Sequence, residues 1–188
     1  MEMKKGILSV AVLLCATTLA LSSPAHGLEK PNIILVFLDD AGYADFGITG
    51  SSTPTPTIDA LATNGVQFTQ FYDASPVCSA SRAALLTGRY PDRFSFANVL
   101  FPDDTQGLPQ EEETLAELLQ GQGYSTHIFG KWHLGHLSGA LPLSHGFDEY
   151  YGLPYSNDMG RQSGARTEYP PLPLMRNEVI PCCGTLPP

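Results

Sequence analysis

An α/β fold with a mainly parallel sheet flanked by helices is what this sequence predicts, on three observations. Asn32 to Leu38 is a continuous apolar, partly β-branched run, the pattern of a strand buried on both faces. Val66 to Tyr72 alternates with period two, and Tyr124 to Phe129 forms a third strand-like run. Short segments with helix start and stop signals lie between these runs. Strands alternating with helices imply parallel pairing through right-handed crossovers. A length of 188 residues fits one domain, or one and a half at most.

The first 27 residues stand apart from that fold. Lys4 and Lys5 precede the apolar run Ile7 to Leu21, and Ala25-His26-Gly27 offers small side chains before a cut after Gly27. This is the pattern of a secretory signal, and about 15 apolar residues fall short of the ~20 that a bilayer requires. No later run is long enough to span a membrane, so the expected product is exported and free of the membrane once the signal is cleaved.

The mature elements follow in order. A Gly-rich loop, Ala41 to Ser52, follows the first strand; Thr57 to Asn64 reads as a short helix with Thr57 as N-cap and Gly65 as C-cap. Ser79 to Thr87 is a second helix, with Gly88 just past its end. Phe94 to Gln110 reads as an irregular surface loop. Glu111-Glu112-Glu113 places three carboxylates at the start of the helix Thr114 to Gln120, where the macrodipole favours them. His127, in mid-strand, reads as a packed core histidine. From Pro142 onward the chain is Pro-, Gly- and Tyr-rich and reads mostly as loop.

Composition removes some functions. Ten Lys+Arg against 19 Asp+Glu give a net charge of −9, so nucleic acid is not the expected partner. With 43% hydrophobic and 15% charged residues the chain is not disordered by composition. Without Cys15 the cysteines are Cys78, Cys182 and Cys183, an odd set whose adjacent pair suits disulfide geometry poorly. Cys78 therefore needs its own explanation. The absence of any Asn-x-Ser/Thr sequon favours a bacterial exported protein, periplasmic or extracellular rather than lysosomal.

Ligands of open parallel sheets bind beyond the carboxyl ends of the strands, and three unusual clusters fall there. Asp39-Asp40 follows the first strand, Cys78 with Arg82 the second, and Lys131-Trp132-His133 the third. Paired carboxylates in a Gly-rich loop suit a hard divalent cation, although turn chemistry alone also places Asp there. Cys78 lies at a helix N-terminus, which favours an anion or a thiolate, and Arg82 follows on the same helix face. Lys131 is one of two lysines after the signal, the other being Lys30.

Cys78-Ser79-Ala80-Ser81-Arg82 and the following Ala83 to Arg89 resemble the signature of the type I sulfatases. Pro31 through Tyr43 resembles the opening strand and calcium loop of that family, and Gly130 to Gly135 its second signature. Gly152 to Asp158 resembles a further arylsulfatase segment. The resemblance implies an alkaline-phosphatase-like sulfatase fold, here incomplete, with residues 28–180 as the N-terminal part of its catalytic domain. Residues 181–188 are expected to be an unstructured or aberrant tail.

The same resemblance implies hydrolysis of a sulfate ester. Cys78 would be oxidised by a formylglycine-generating maturation enzyme, and the hydrated aldehyde would carry two hydroxyls. One attacks sulfur and displaces the alcohol; the other expels sulfate. Ca²⁺ would be held by Asp39, Asp40 and the converted residue 78. Arg82 would steady that residue, Lys131 would bind sulfate, His133 would orient the nucleophile, and Ser156 would lie near the substrate sulfate. The family's later Asp-Asn calcium ligands, a further His and a second Lys have no counterpart here, so low or no activity is expected of this chain alone. Two alternatives remain: a noncatalytic remnant that binds anions or calcium, and a phosphatase or phosphodiesterase of the same superfamily.

Overall fold

The structure is a computed structural model that describes residues 30–160, 169 and 171–179. The signal-like segment, Cys182, Cys183 and the tail 181–188 lie outside the described residues. The chain divides into two units, Met1–Ala41 and Gly42–Pro188. In the first, Asn32 to Leu38 is not a strand, and Ile34 and Val36 are 87% and 73% exposed. A strand is completed by pairing with a neighbour, and the β-pairings of the described residues join only 127–131, 149–153 and 175–179. Asp39 and Asp40 form an exposed bend.

In the second unit three α-helices precede a small sheet. Helix α1 spans Pro56–Asn64 and starts two residues earlier than expected, with Thr55 as N-cap and Pro56 at the first helical position. Proline is preorganised there and loses no useful donor. Thr55 and Asp59 accept bonds from Gly47 and Ile48, which ties the preceding loop to the helix. Val66 to Tyr72, expected as a strand, is irregular, and Val66, Phe68, Phe71 and Tyr72 are exposed.

Helix α2 runs Cys78–Thr87 and ends in a left-handed Gly88 whose N–H bonds the Ala84 carbonyl. Ser79, Ala80, Ser81, Ala83 and Ala84 are buried, so α2 presents small residues to the core. Helix α3, Leu115–Gly121, opens with a capping box in which Thr114 and Glu117 satisfy each other's backbone N–H groups. The acidic run therefore does not occupy the first turn. Glu112, 6% exposed, instead takes Arg89 at 2.5 Å, because a buried carboxylate requires a partner more than a dipole.

Strand β1, His127–Lys131, lies three residues later than expected and pairs parallel with β2, Glu149–Leu153. Strand β3, Met175–Arg176, adds antiparallel to β2. The stretch after Pro142 thus supplies two strands that its loop-like composition concealed. Gly152 faces Gly130 across the parallel ladder, and a Cβ on Gly152 would lie 1.8 Å from the Gly130 carbonyl oxygen. His127 is not a core residue: its half-exposed ring meets Ser125 at 2.9 Å and Glu149 at 3.4 Å.

The core gathers Ala83 of α2, Phe96, Leu100 and Leu108 of the expected surface loop, Trp132, Leu134 and Tyr150. That loop is buried at its apolar positions rather than lying free on the surface. Trp132 is wholly buried and donates its indole N–H to the Ala140 carbonyl at 2.8 Å. Truncating such a residue to Ala costs about 3–5 kcal/mol.

His145 lies beneath Trp132, ring centroids 5.9 Å apart, and its carbonyl accepts the Thr114 hydroxyl at 2.8 Å. Burial lowers its pKa from the ordinary 6.5, outweighing the raising effect of Glu117 and of the nearby backbone at Gly139 and Leu108. The folded chain therefore favours the neutral ring, while the unfolded chain takes up a proton near pH 6.5. Stability should fall as pH drops below that value, until the folded pKa is reached. Denaturant melts between pH 5 and 8 should show this slope in the wild type and a flatter one in His145→Gln.

Candidate active site

Helix α2 presents Cys78 at its first position, half-buried, with Val77 as the N-cap. The preceding segment is fastened by Asp73, which accepts the Ser81 hydroxyl. One turn after Cys78, Arg82 donates from Nη1 to the Lys131 carbonyl at 2.6 Å. Two stretches separated by 49 residues are thereby joined: the start of α2 and the carboxyl end of β1. The sequence places Lys131 after the strand; in the structure it is the last strand residue, half-buried.

Parallel pairing continues past the ends of β1 and β2. Trp132 N–H bonds the Leu153 carbonyl, and His133 N–H bonds the Pro154 carbonyl, both at 3.0 Å. His133 is wholly buried and adopts φ +62, unusual for any residue with a Cβ. Its Nε2 lies 2.8 Å from the Leu100 carbonyl, and the Leu100 N–H bonds Ser79 Oγ at 3.0 Å. Leu100 thus bridges His133 to the residue after Cys78. Ser156, two residues past Pro154, is half-buried and accepts the Met159 N–H through its carbonyl at 2.9 Å.

Cys78, Arg82, Lys131 and His133 therefore belong to one bonded framework, with Ser156 on the adjoining strand extension. Asp39 and Asp40 lie in the other unit, where Asp40 takes φ +58. Among the described residues no group of three or more His, Cys, Asp or Glu side chains is placed to hold a metal ion.

Sequence reasoning missed four participants. Ser79 and Leu100 make the bridge just described. Tyr155 sets its ring edge-on to His133 at 5.4 Å and meets His136 Nδ1 through its hydroxyl at 2.6 Å. Burial, with the charges of Asp104 and Asp103, pushes the Tyr155 hydroxyl up to about 12, so it remains protonated at neutral pH. The available signal for Leu100 was the apolar run Val99-Leu100-Phe101 inside a polar loop.

A thiol at a helix start, a guanidinium held on a backbone carbonyl, a lysine and a buried imidazole are residue types suited to anions and protons. Comparison with known proteins gives the chain a family. The Sulfatase family model matches residues 31–176. Arylsulfatase A of Bos taurus is 51% identical over 147 residues, covering 76% of this chain and 29% of that protein. N-acetylgalactosamine-6-sulfatase of Sus scrofa is 44% identical over 158 residues, covering 79% of this chain and 30% of that protein. Among solved structures, the PsFucS1 sulfatase from Pseudoalteromonas sp. superposes with TM-score 0.62 at 42% identity, covering 69% of this chain and 27% of that one. The chain thus spans under a third of the length of these relatives.

The Arg82 bond is open to a stability test. A charged hydrogen bond of this kind is worth about 1.5–3 kcal/mol, so Arg82→Met should lower the unfolding free energy by that amount in urea melts. An unchanged midpoint would mean that the guanidinium does not hold the Lys131 carbonyl.

Proposed function

The chain belongs to the sulfatase family, and from that membership we propose that it serves the hydrolysis of sulfate esters through a nucleophile derived from Cys78. The observation that carries this reading is the bonded framework itself. Arg82 reaches Lys131, and Ser79 reaches His133 through Leu100, so the two signature stretches meet at the carboxyl end of β1. Those are the residue types needed to seat a sulfate group and move a proton beside it.

Each side chain has a role that its setting supports. Arg82, anchored on a backbone carbonyl, steadies the first turn of α2 and the residue at 78. Lys131 supplies a compact positive charge for sulfate oxygens. His133 orients the attacking hydroxyl and takes or returns its proton. Ser156 offers a hydroxyl toward the sulfate from the end of β2. Formylglycine at 78, once made by a maturation enzyme, supplies the hydrated aldehyde whose two hydroxyls attack sulfur and then release sulfate.

Asp39 and Asp40 fit calcium in their donor chemistry, since adjacent carboxylates are hard oxygen ligands. A complete Ca²⁺ shell normally holds about 6–8 oxygens, of which the two carboxylates would supply part. Bound there, Ca²⁺ would withdraw charge from sulfate oxygens as a Lewis acid. Export to the periplasm or medium belongs to this reading too. No helix among the described residues is long and apolar enough to cross a membrane.

Maturation is the direct test. Coexpressed with a formylglycine-generating enzyme, the peptide carrying residue 78 should show the aldehyde by mass spectrometry. A thiol alone under those conditions would sink the sulfatase chemistry. The second test is electrostatic. In a matured version extended to the length of the relatives and assayed on an aryl sulfate with calcium, Lys131→Ala should lower turnover about 10²–10³-fold, while Lys30→Ala should change it little. Equal rates for the two variants would remove Lys131 from the site.

A further inference from the structure

The bridge between α2 and His133 has a chemical consequence at the imidazole. The Leu100 carbonyl can only accept, so the 2.8 Å contact requires the proton on Nε2 of His133. In the neutral ring Nδ1 then carries the lone pair. The direction of that carbonyl depends on its own residue, because the Leu100 N–H is held at 3.0 Å by the hydroxyl of Ser79. Ser79 and His133 are wholly buried and Leu100 is 4% exposed, so water does not replace these partners readily.

We propose that Ser79 is a positioning residue that selects the tautomer of His133. Its hydroxyl fixes the Leu100 backbone, the Leu100 carbonyl holds the Nε2 proton, and Nδ1 is left as the proton-accepting atom. Tyr155, edge-on to the ring at 5.4 Å, limits rotation of the imidazole but does not choose between its nitrogens. The proposal rests on the sulfatase reading for its catalytic meaning, since a base with the wrong tautomer cannot take the nucleophile's proton.

The test reads the tautomer itself. In the full chain labelled with ¹⁵N-histidine, long-range proton–nitrogen correlations at neutral pH should show His133 with Nε2 protonated and Nδ1 bare. Ser79→Ala should give a mixture of the two neutral forms, and Ser79→Thr, which keeps the hydroxyl, should restore the wild-type pattern. In a matured version extended to the length of the relatives, kcat of Ser79→Ala should fall about 10–100-fold with KM little changed, and Ser79→Thr should recover it. If Ser79→Ala unfolds, Ser79→Cys, close in size but a weak acceptor, should show the mixture instead.

An Nδ1-protonated His133 in the wild type, or a wild-type tautomer in the folded Ala or Cys variant, would overturn the proposal. Sulfatase activity that persists alongside either result would leave the reaction assignment standing and remove only the role of Ser79. A correct tautomer in a matured version extended to the length of the relatives that turns over no sulfate ester would do the reverse.

Discussion

The bond from Arg82 to the Lys131 carbonyl is the constraint on which the rest of the site depends. A guanidinium that reaches a main-chain carbonyl fixes backbone rather than a mobile side chain, so it fixes everything the backbone carries next. Lys131 ends β1, Trp132 fills the core, and His133 continues the ladder to Pro154. Small residues on the buried face of α2 let the helix approach closely enough for that reach, with Ala80 and Ala83 fully buried. A larger side chain at either position would push the helix away from the strand. The core packing and the site chemistry are one requirement here.

Much of the site was legible because its chemistry is local. Cys78 and Arg82 are one helical turn apart, and the caps that start and stop α2 are written in adjacent residues. Helices α1 and α3 were legible for the same reason, through Thr57, Gly65 and Thr114, although α1 begins ahead of Thr57, at Pro56. Strands were not. A strand is completed by partners far away in sequence, so Asn32 to Leu38 and Val66 to Tyr72 carry strong strand patterns yet are irregular and exposed, while the unremarkable Glu149–Leu153 is paired on both sides. Propensity proposes; the ladder decides.

The bridge through Leu100 was illegible for a related reason. Residues 94–110 hold Pro, Gly and Asp in the proportion of a surface loop, and composition cannot show that a loop is pinned by its own backbone. Phe96, Leu100 and Leu108 go inward, and the buried main-chain groups that accompany them need partners. Ser79 and His133 supply two of those partners, and the Leu134 carbonyl takes the Leu108 N–H at 2.8 Å. Ser79, a serine of the signature to which the sequence assigns no role, satisfies a buried amide.

Backbone strain at His133 bears on the same bridge by a separate route. A residue with a Cβ held in the left-handed region costs of order 1–3 kcal/mol and persists only where its surroundings over-determine it. Among the described residues Asp40, Ser95, His133 and Asn177 adopt it, His133 at φ +62. For His133 the over-determination is visible. Its N–H is bonded to Pro154, its ring nitrogen contacts Leu100, and the wholly buried Trp132 and Leu134 flank it in the chain. Relaxing φ would turn the imidazole away from Leu100 and break the ladder at once. The strain is therefore held in the geometry that presents Nε2 to the Leu100 carbonyl, and through Leu100 joins the ring to Ser79 of α2.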